Sequence, residues 1–273
     1  MKIAITGASG FVGTTLQKIF LDSVVISRHD DEAAILKKIK DVDVVINLAG
    51  APIIKRWDET YKKVLYTSRI NTTKTLVNVL NQSDIKHFIS TSAIGIYPDN
   101  KVCDETSKEI ASDFLGYVAS AWEAEALKCT KPTTILRFGV IMGADGGALA
   151  KMLLPFRLGL GGVIGDGKMM TSWIDIDDLM RIYQFVIDNK LEGIFNATTP
   201  NPVSNREFTK ALSKVLHRPS IFPLPIFVLK LIYGEASTVI TGSKEVYPRA
   251  LVDAGFQFHY EEINSSLSHL LKE

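Results

Sequence analysis

Short apolar runs recur along the chain, each followed by a stretch in which apolar residues return every three or four positions. Ile3-Ala4-Ile5, Val24-Val25-Ile26, Val44-Val45-Ile46 and Thr134-Ile135-Leu136 have the length and β-branched content of buried strands. His87 to Thr91, Ser172 to Ile176 and Gly193 to Thr198 read as further strands, with Thr134 continuing to Val140. Between them the spacing predicts helices. Val12, Leu16, Ile19 and Phe20 mark the first, Ala34, Ile35, Leu36 and Ile39 the second, and Tyr61, Val64, Leu65, Leu76 and Leu80 one or two more over Trp57 to Leu80. Others are expected from about Asp113 to Lys128 and from Asp177 to Asn189. Alternation of this kind specifies an α/β fold, a doubly wound parallel sheet with helices on both faces.

The first strand runs at once into Gly7-Ala8-Ser9-Gly10-Phe11-Val12-Gly13 and a helix. That order delivers unpaired backbone N–H groups and the positive end of a helix dipole to one point, which suits a pyrophosphate in a Rossmann fold. Gly7 permits the tight turn, Gly10 the approach of phosphate to backbone, and Gly13 close packing of helix on strand. Gly7, Ser9, Gly10, Phe11, Val12 and Gly13 are therefore candidate cofactor contacts. The second strand ends in Ser27-Arg28, with no carboxylate before Asp30. An acidic residue there would grip the ribose of NAD, whereas an arginine receives the 2′-phosphate of NADP. Arg28, with Ser27 as a second donor, predicts NADP(H). Only a few residues separate Arg28 from the next helix, so the usual edge strand is expected to be missing and the adenine partly exposed.

The alternation stops from about Gly143 to Thr171 and again after Pro200. We expect residues 1–142 and 172–200 to form the nucleotide domain, and 143–171 with 201–273 a small, mostly helical C-terminal lobe over the carboxyl edge of the sheet. The cleft between them is the expected active site. Composition narrows the function. A chain of 273 residues, 46% hydrophobic, can bury a large core, and a net charge of +1 from 31 basic and 30 acidic residues gives no field for nucleic acid or an anionic membrane. The longest apolar stretch, Ile221 to Tyr233, contains Pro223, Pro225 and Lys230; it is too short to span a bilayer and is expected to pack within the lobe. Met1-Lys2 leads directly into the first strand with no secretory signal, and Cys103 and Cys129 are too few for a disulfide framework. Both features fit a cytoplasmic protein acting on a small molecule. The five histidines are scattered, so no metal site is expected.

Ordered motifs extend over nearly the whole chain: Thr6-Gly7-Ala8-Ser9-Gly10-Phe11-Val12-Gly13, Asn47-Leu48-Ala49-Gly50-Ala51-Pro52-Ile53, Arg56-Trp57, Ser68-Arg69-Ile70-Asn71-Thr72-Thr73, Gly146-Gly147-Ala148-Leu149, Ser172-Trp173-Ile174, Phe195-Asn196-Ala197-Thr198 and Gly255-Phe256-Gln257-Phe258. In these the chain resembles an extended short-chain dehydrogenase/reductase. It is most similar to the atypical "epimerase family protein" branch, which is related to nucleoside-diphosphate-sugar epimerases and includes cell-division-inhibitor-like members. The resemblance implies NADP(H), with Leu48, Ala49 and Gly50 lining the cofactor cleft, Arg69 reaching the phosphates and Val140 near the nicotinamide. From chemistry alone, a surface ion pair fits Arg69 nearly as well. The resemblance also allows a homodimer through the two long helices of the nucleotide domain, or a regulatory protein partner.

Catalysis departs from the pattern. The family at large uses a tyrosine activated by a lysine one helical turn on, and a hydroxyl that polarises the substrate. Ser92 or Thr91 fits the hydroxyl role, and a strand-end serine bonded to backbone fits as well. Tyr117 occupies the expected helix, but the residue four along is Ala121. Tyr97-Pro98-Asp99-Asn100-Lys101 has the spacing in a turn, where the two side chains need not share a face. Gly162 to Lys168 falls one residue short of a phosphate loop, because Met169 stands where a Ser or Thr is required; a glycine-rich lobe loop is the better reading. Strand alternation sends Asp175 and Asp177 to one face, and Asp177 or Asp178 can cap the next helix, which favours a structural role for the acidic run; Glu235 reads as a cap or ion pair. Two functional classes follow: an NADP(H)-dependent reductase or epimerase of a small, sugar-nucleotide-like substrate, and a non-catalytic NADPH-binding regulator.

Overall fold

Six strands build the central sheet of the computed structural model, which describes residues 1–272. They are β1 (Ile3–Thr6), β2 (Val24–Ile26), β3 (Val44–Asn47), β4 (His87–Ala93), β5 (Thr133–Phe138) and β6 (Gly193–Ala197). All neighbours are parallel, in the order β6-β5-β4-β3-β1-β2. The doubly wound fold is therefore present, and β2 forms the sheet edge with no strand beyond it among the described residues.

Alternation along each strand feeds two cores. Ile3, Ile5, Val44, Ile46, Ile89 and Leu136 face α1 (Phe11–Ile19) and α6 (Ile176–Asp188). Ala4, Val45, Phe88 and Ile135 face the other way, onto residues of α2 (Glu32–Lys38), α3 (Glu59–Leu80) and α4 (Phe114–Ala126). Trp57 to Leu80 thus holds one helix, starting at the Asp58 cap.

The strand expected over Thr134 to Val140 breaks in two. A Cβ on Gly139 would lie 2.8 Å from the Ser172 carbonyl oxygen, so only glycine lets the chain pass there. Beyond it Val140–Met142 pairs in parallel with Trp173–Asp175, outside the main sheet.

A separate apolar cluster joins the two stretches that interrupt the alternation. Leu149, Leu153 and Phe156 of α5 (Gly147–Arg157) meet Phe208 and Leu212 of α7 (Asn205–Val215) and Ile263 and Leu267 of α9 (Ile263–Leu270). The run Ile221 to Tyr233 departs from expectation. Its helix, α8 (Ile226–Tyr233), buries only Leu229. No helix among the described residues is long and apolar enough to cross a membrane.

Candidate functional site

The glycine turn after β1 is shaped by what its glycines omit. Gly7 has a φ of +66°, and a Cβ there would sit 2.7 Å from the Leu48 carbonyl oxygen; on Gly13 it would sit 2.4 Å from the carbonyl oxygen of Gly7. Bare backbone lets α1 start directly above the ends of β1 and β3. Gly10 is its N-cap, and no side chain caps it. By contrast α2, α3, α4, α6 and α7 are capped by Asp31, Asp58, Asp113, Asp175 and Ser204. The first N–H groups of α1 remain for an anion, which the helix dipole favours. Ser9 is exposed beside them and Val12 is buried in the core. The Phe11 ring fills space that only glycine leaves: Cβ atoms on Gly143 and Gly146 would lie 2.3 and 2.2 Å from it. The turn is thereby tied to the segment leading into α5. An open cavity of about 570 Å³ borders Ser9, Phe11, Thr14, Asp145 and Asp177.

Beneath the turn runs a buried polar chain. Thr6 Oγ1 donates to Asn47 Oδ1 at 2.7 Å, Asn47 Nδ2 to Thr73 Oγ1 at 2.8 Å, and Trp122 Nε1 to Thr73 Oγ1 at 2.9 Å. The Leu48 N–H donates to Thr6 Oγ1 and the Ala49 N–H to Asn47 Oδ1. Leu48 and Ala49 are thus held by backbone at the carboxyl end of β3, beside the glycine turn. The sequence pattern did not single out this chain; an Asn closing an apolar strand was its one signal.

Arg69 lies across Gly50, with its Cζ 3.1 Å from where a Cβ would be. It donates to the carbonyl oxygens of Leu65 and Ala51 and stacks 5.4 Å from the Trp122 ring centroid. Burial draws its pKa down to about 10, so it stays cationic at neutral pH. The guanidinium is thus half-buried, bonded to carbonyl oxygens and charged.

At the sheet edge, residues 27–30 form a tight turn. The Asp30 N–H donates to the Ser27 carbonyl and the His29 N–H to Ser27 Oγ. Asp30 Oδ2 accepts from Lys38 Nζ at 2.5 Å and from the Ser27 N–H at 2.7 Å, and these bonds hold its carboxyl below the usual range. The nearest carboxylate is therefore occupied. Arg28 is exposed, its Nε directed to His29 Nε2 at 3.3 Å. Val140 is half-buried where the chain leaves β5, its N–H donating to the Ser172 carbonyl.

The candidate catalytic residues are not brought together. Ser92 is buried, and its hydroxyl donates at 2.6 Å to Glu123, which forms a two-pronged ion pair with Arg137 at 2.8 and 2.7 Å. Burial opposes the charge on Arg137, yet Glu123 holds its pKa above the ordinary value. Arg137 also donates to the Tyr97 hydroxyl, which donates to Asn196 Oδ1. Tyr117 points elsewhere: it is 59% exposed and stacks on Tyr66 at 5.7 Å across the outer faces of α3 and α4. Tyr97 and Lys101 do not share a face, for Tyr97 is buried and Lys101 pairs with Glu109 on the surface. Thr91 stands 3.5 Å from the buried Tyr183 hydroxyl, on the opposite face of β4.

The remaining candidates are structural in geometry. The cap of α6 is Asp175 rather than Asp177 or Asp178, which fall inside the first turn: Asp175 accepts from the Asp177 N–H and from Ser266 Oγ at 2.5 Å, and burial raises its pKa to about 6. With Asp177 and His269 it offers ligand atoms within 4.8 Å of one another, but both Asp175 oxygens are already bonded and Asp177 accepts from His269. The loop at Gly162 to Lys168 is laced to the approach of α8, Gly165 N–H to the Leu224 carbonyl and Leu224 N–H to that of Val163. Glu235 pairs with Lys62 at 2.5 Å.

Known proteins share this architecture. The Bacillus subtilis "epimerase family protein YfhF" is 33% identical over all of this chain and 99% of its own length. An Arabidopsis thaliana protein described as "epimerase family protein SDR39U1 homolog, chloroplastic" is 34% identical over all of this chain and 87% of its own. A crystal structure of human epimerase family protein SDR39U1 with NADPH superposes with a TM-score of 0.90, at 29% identity and 99% coverage of both chains. Residues 224–270 match a domain of unknown function, DUF1731. Residues 3–197, from β1 to the end of β6, match the NAD dependent epimerase/dehydratase family, and to that family this chain belongs.

Proposed function

We propose that the protein binds NADP(H) and acts as a reductase or epimerase on a small polar, sugar-nucleotide-like substrate held in the cleft above β3, β4 and β5. The observation that carries the cofactor is the pairing of an uncapped α1 with an exposed Arg28 whose neighbouring carboxylate is bound to Lys38. The residues present fit such a ligand: backbone at Gly10 to Gly13 receives the pyrophosphate, Arg28 and Ser27 the 2′-phosphate, and Arg69 adds a cation at Gly50. The human relative's crystallisation with NADPH supports the same choice. When bound, the nicotinamide supplies hydride transfer. Leu48, Ala49 and Val140 shape the walls that orient it, and the glycine turn fixes its phosphates.

A second reading rests on Ser92 and Tyr117. With the Ser92 hydroxyl given to Glu123 and Tyr117 on the outside of α4, the usual acid/base couple is missing, which favours a regulator that senses NADPH and acts through a protein partner. The outer faces of α3 and α4, where Tyr66 and Tyr117 stack, offer a surface for that partner or a second copy. Incubation with NADPH deuterated at the transferable position and a nucleotide-sugar panel separates the readings. Label passing to a substrate supports the enzyme; tight NADPH binding with no label transferred, while a protein partner co-purifies, overturns it in favour of the regulator.

A further inference from the structure

The segment 158–165 and the approach to α8 run side by side. Gly159 lies against Pro219, the backbone of Gly162 lies against Phe222, and Leu224 exchanges hydrogen bonds with Val163 and Gly165. Their side chains meet solvent. Leu158, Leu160, Ile221, Phe222, Phe227 and Leu231 are exposed, from 55% at Phe222 to 74% at Ile221. Phe227 and Leu231 stand one turn apart on the outer face of α8, opposite buried Leu229, so this helix is apolar on the side it shows as well as on the side it hides. Contiguous apolar surface of this kind marks a contact site rather than ordinary scatter.

Charge identifies the occupant. Residues 147–170 and 200–232 hold eight Lys and Arg against two carboxylates, in a chain whose total is +1. All eight are exposed. Arg157 and Arg218 flank the patch directly, Arg218 Nε donating to the Arg157 carbonyl beside Leu158, and Lys230 lies between Phe227 and Leu231 on α8. The near-neutral total therefore hides an uneven distribution along the sequence, and Arg157, Arg218 and Lys230 are the cations set directly beside the apolar residues. A protein partner would need an acidic rim around an apolar centre. A bilayer with anionic headgroups supplies both over an unlimited area: acyl chains for Phe and Leu, and phosphates for the surrounding cations.

We propose that this face, centred on Phe222, Phe227 and Leu231, seats the protein on the surface of an anionic membrane without spanning it. The test uses the full chain with vesicles of phosphatidylcholine alone and of phosphatidylcholine mixed with phosphatidylglycerol, read by flotation. Binding should favour the anionic vesicles by at least about tenfold and weaken as salt rises, since the attraction is screened. The double variant Phe227→Ser/Leu231→Ser should lose at least about tenfold of that binding while its circular dichroism and NADPH affinity stay unchanged; Arg157→Glu/Arg218→Glu should lose the preference for anionic lipid. Absence of vesicle binding overturns the proposal, as does undiminished binding by a folded double variant. Sedimentation showing a dimer that Phe227→Ser/Leu231→Ser dissociates, with no lipid binding, would assign the face to a second copy instead.

Discussion

Thr6 Oγ1 donates to Asn47 Oδ1 at 2.7 Å, joining the last residues of β1 and β3 immediately under the glycine turn. Both side chains are buried, and each also accepts an N–H of the following segment, Leu48 for Thr6 and Ala49 for Asn47. One hydrogen bond therefore ties the segment Leu48-Ala49 to the end of β1 beneath the glycine turn. Thr6→Val keeps the shape and strands the Leu48 N–H, so urea unfolding should show a loss of about 1–3 kcal/mol. NADPH affinity should fall with it. A variant as stable as the parent would mean that Leu48 finds another acceptor and that the bond positions nothing.

Gly13→Ala should be more damaging than its single methyl suggests. The new Cβ would meet the Gly7 carbonyl oxygen at 2.4 Å, backbone against backbone, and α1 would have to lift off β1. We expect a loss of about 1–3 kcal/mol in stability and at least tenfold (about 1.4 kcal/mol) in NADPH binding by calorimetry. Gly193→Ala is the control for stability alone, since it lies at the far end of the sheet with open space around it, although its φ of +113° carries backbone strain.

Glu123 holds two partners at once. Glu123→Ala leaves the Arg137 guanidinium buried without a counter-ion and should cost about 3–5 kcal/mol, whereas Ser92→Ala removes only a donor to an oxygen that Arg137 still satisfies. Thermal unfolding of both variants ranks them. If Ser92→Ala abolishes turnover of a substrate while leaving stability intact, Ser92 acts in chemistry and its bond to Glu123 is only a resting arrangement.

Stability should also carry the signature of Asp175. Burial raises its pKa from 3.8 to about 6, so the folded state holds a proton that the unfolded chain releases. The favourable contribution is complete below about pH 3.8 and disappears as pH rises through about 6, amounting to at most about 3 kcal/mol. Asp175→Asn, which can still cap α6, should flatten the unfolding free energy across that window and raise stability at pH 7. An unaltered slope in the variant would assign the pH dependence to other groups.

Much of this was written locally. The strand, three glycines and helix occupy adjacent positions, and so do Ser27 and Arg28, so the glycine turn could be read directly, as could the lack of an edge strand beyond β2 among the described residues. Long-range pairings could not. Glu123 looks like any polar residue on a helix until Arg137 and Ser92 arrive from β5 and β4, and the direction of Tyr117 depends on how α4 rolls against α3. Gly139 hid a change of sheet, because a break between two apolar segments resembles a strand interior when only composition is visible. The run Ile221 to Tyr233 misled for a related reason: hydrophobicity predicts burial on average, yet says nothing about which face has something to pack against.

Paired titrations of the full chain with NADPH and NADH, repeated on Arg28→Ala, bear most directly on the cofactor assignment. NADPH should bind more tightly than NADH by over tenfold, about 1.4 kcal/mol, and raise the unfolding temperature, and Arg28→Ala should erase most of that preference while leaving NADH affinity unchanged. Equal affinities for the two dinucleotides, or saturating NADPH with no protection against heat, would contradict it.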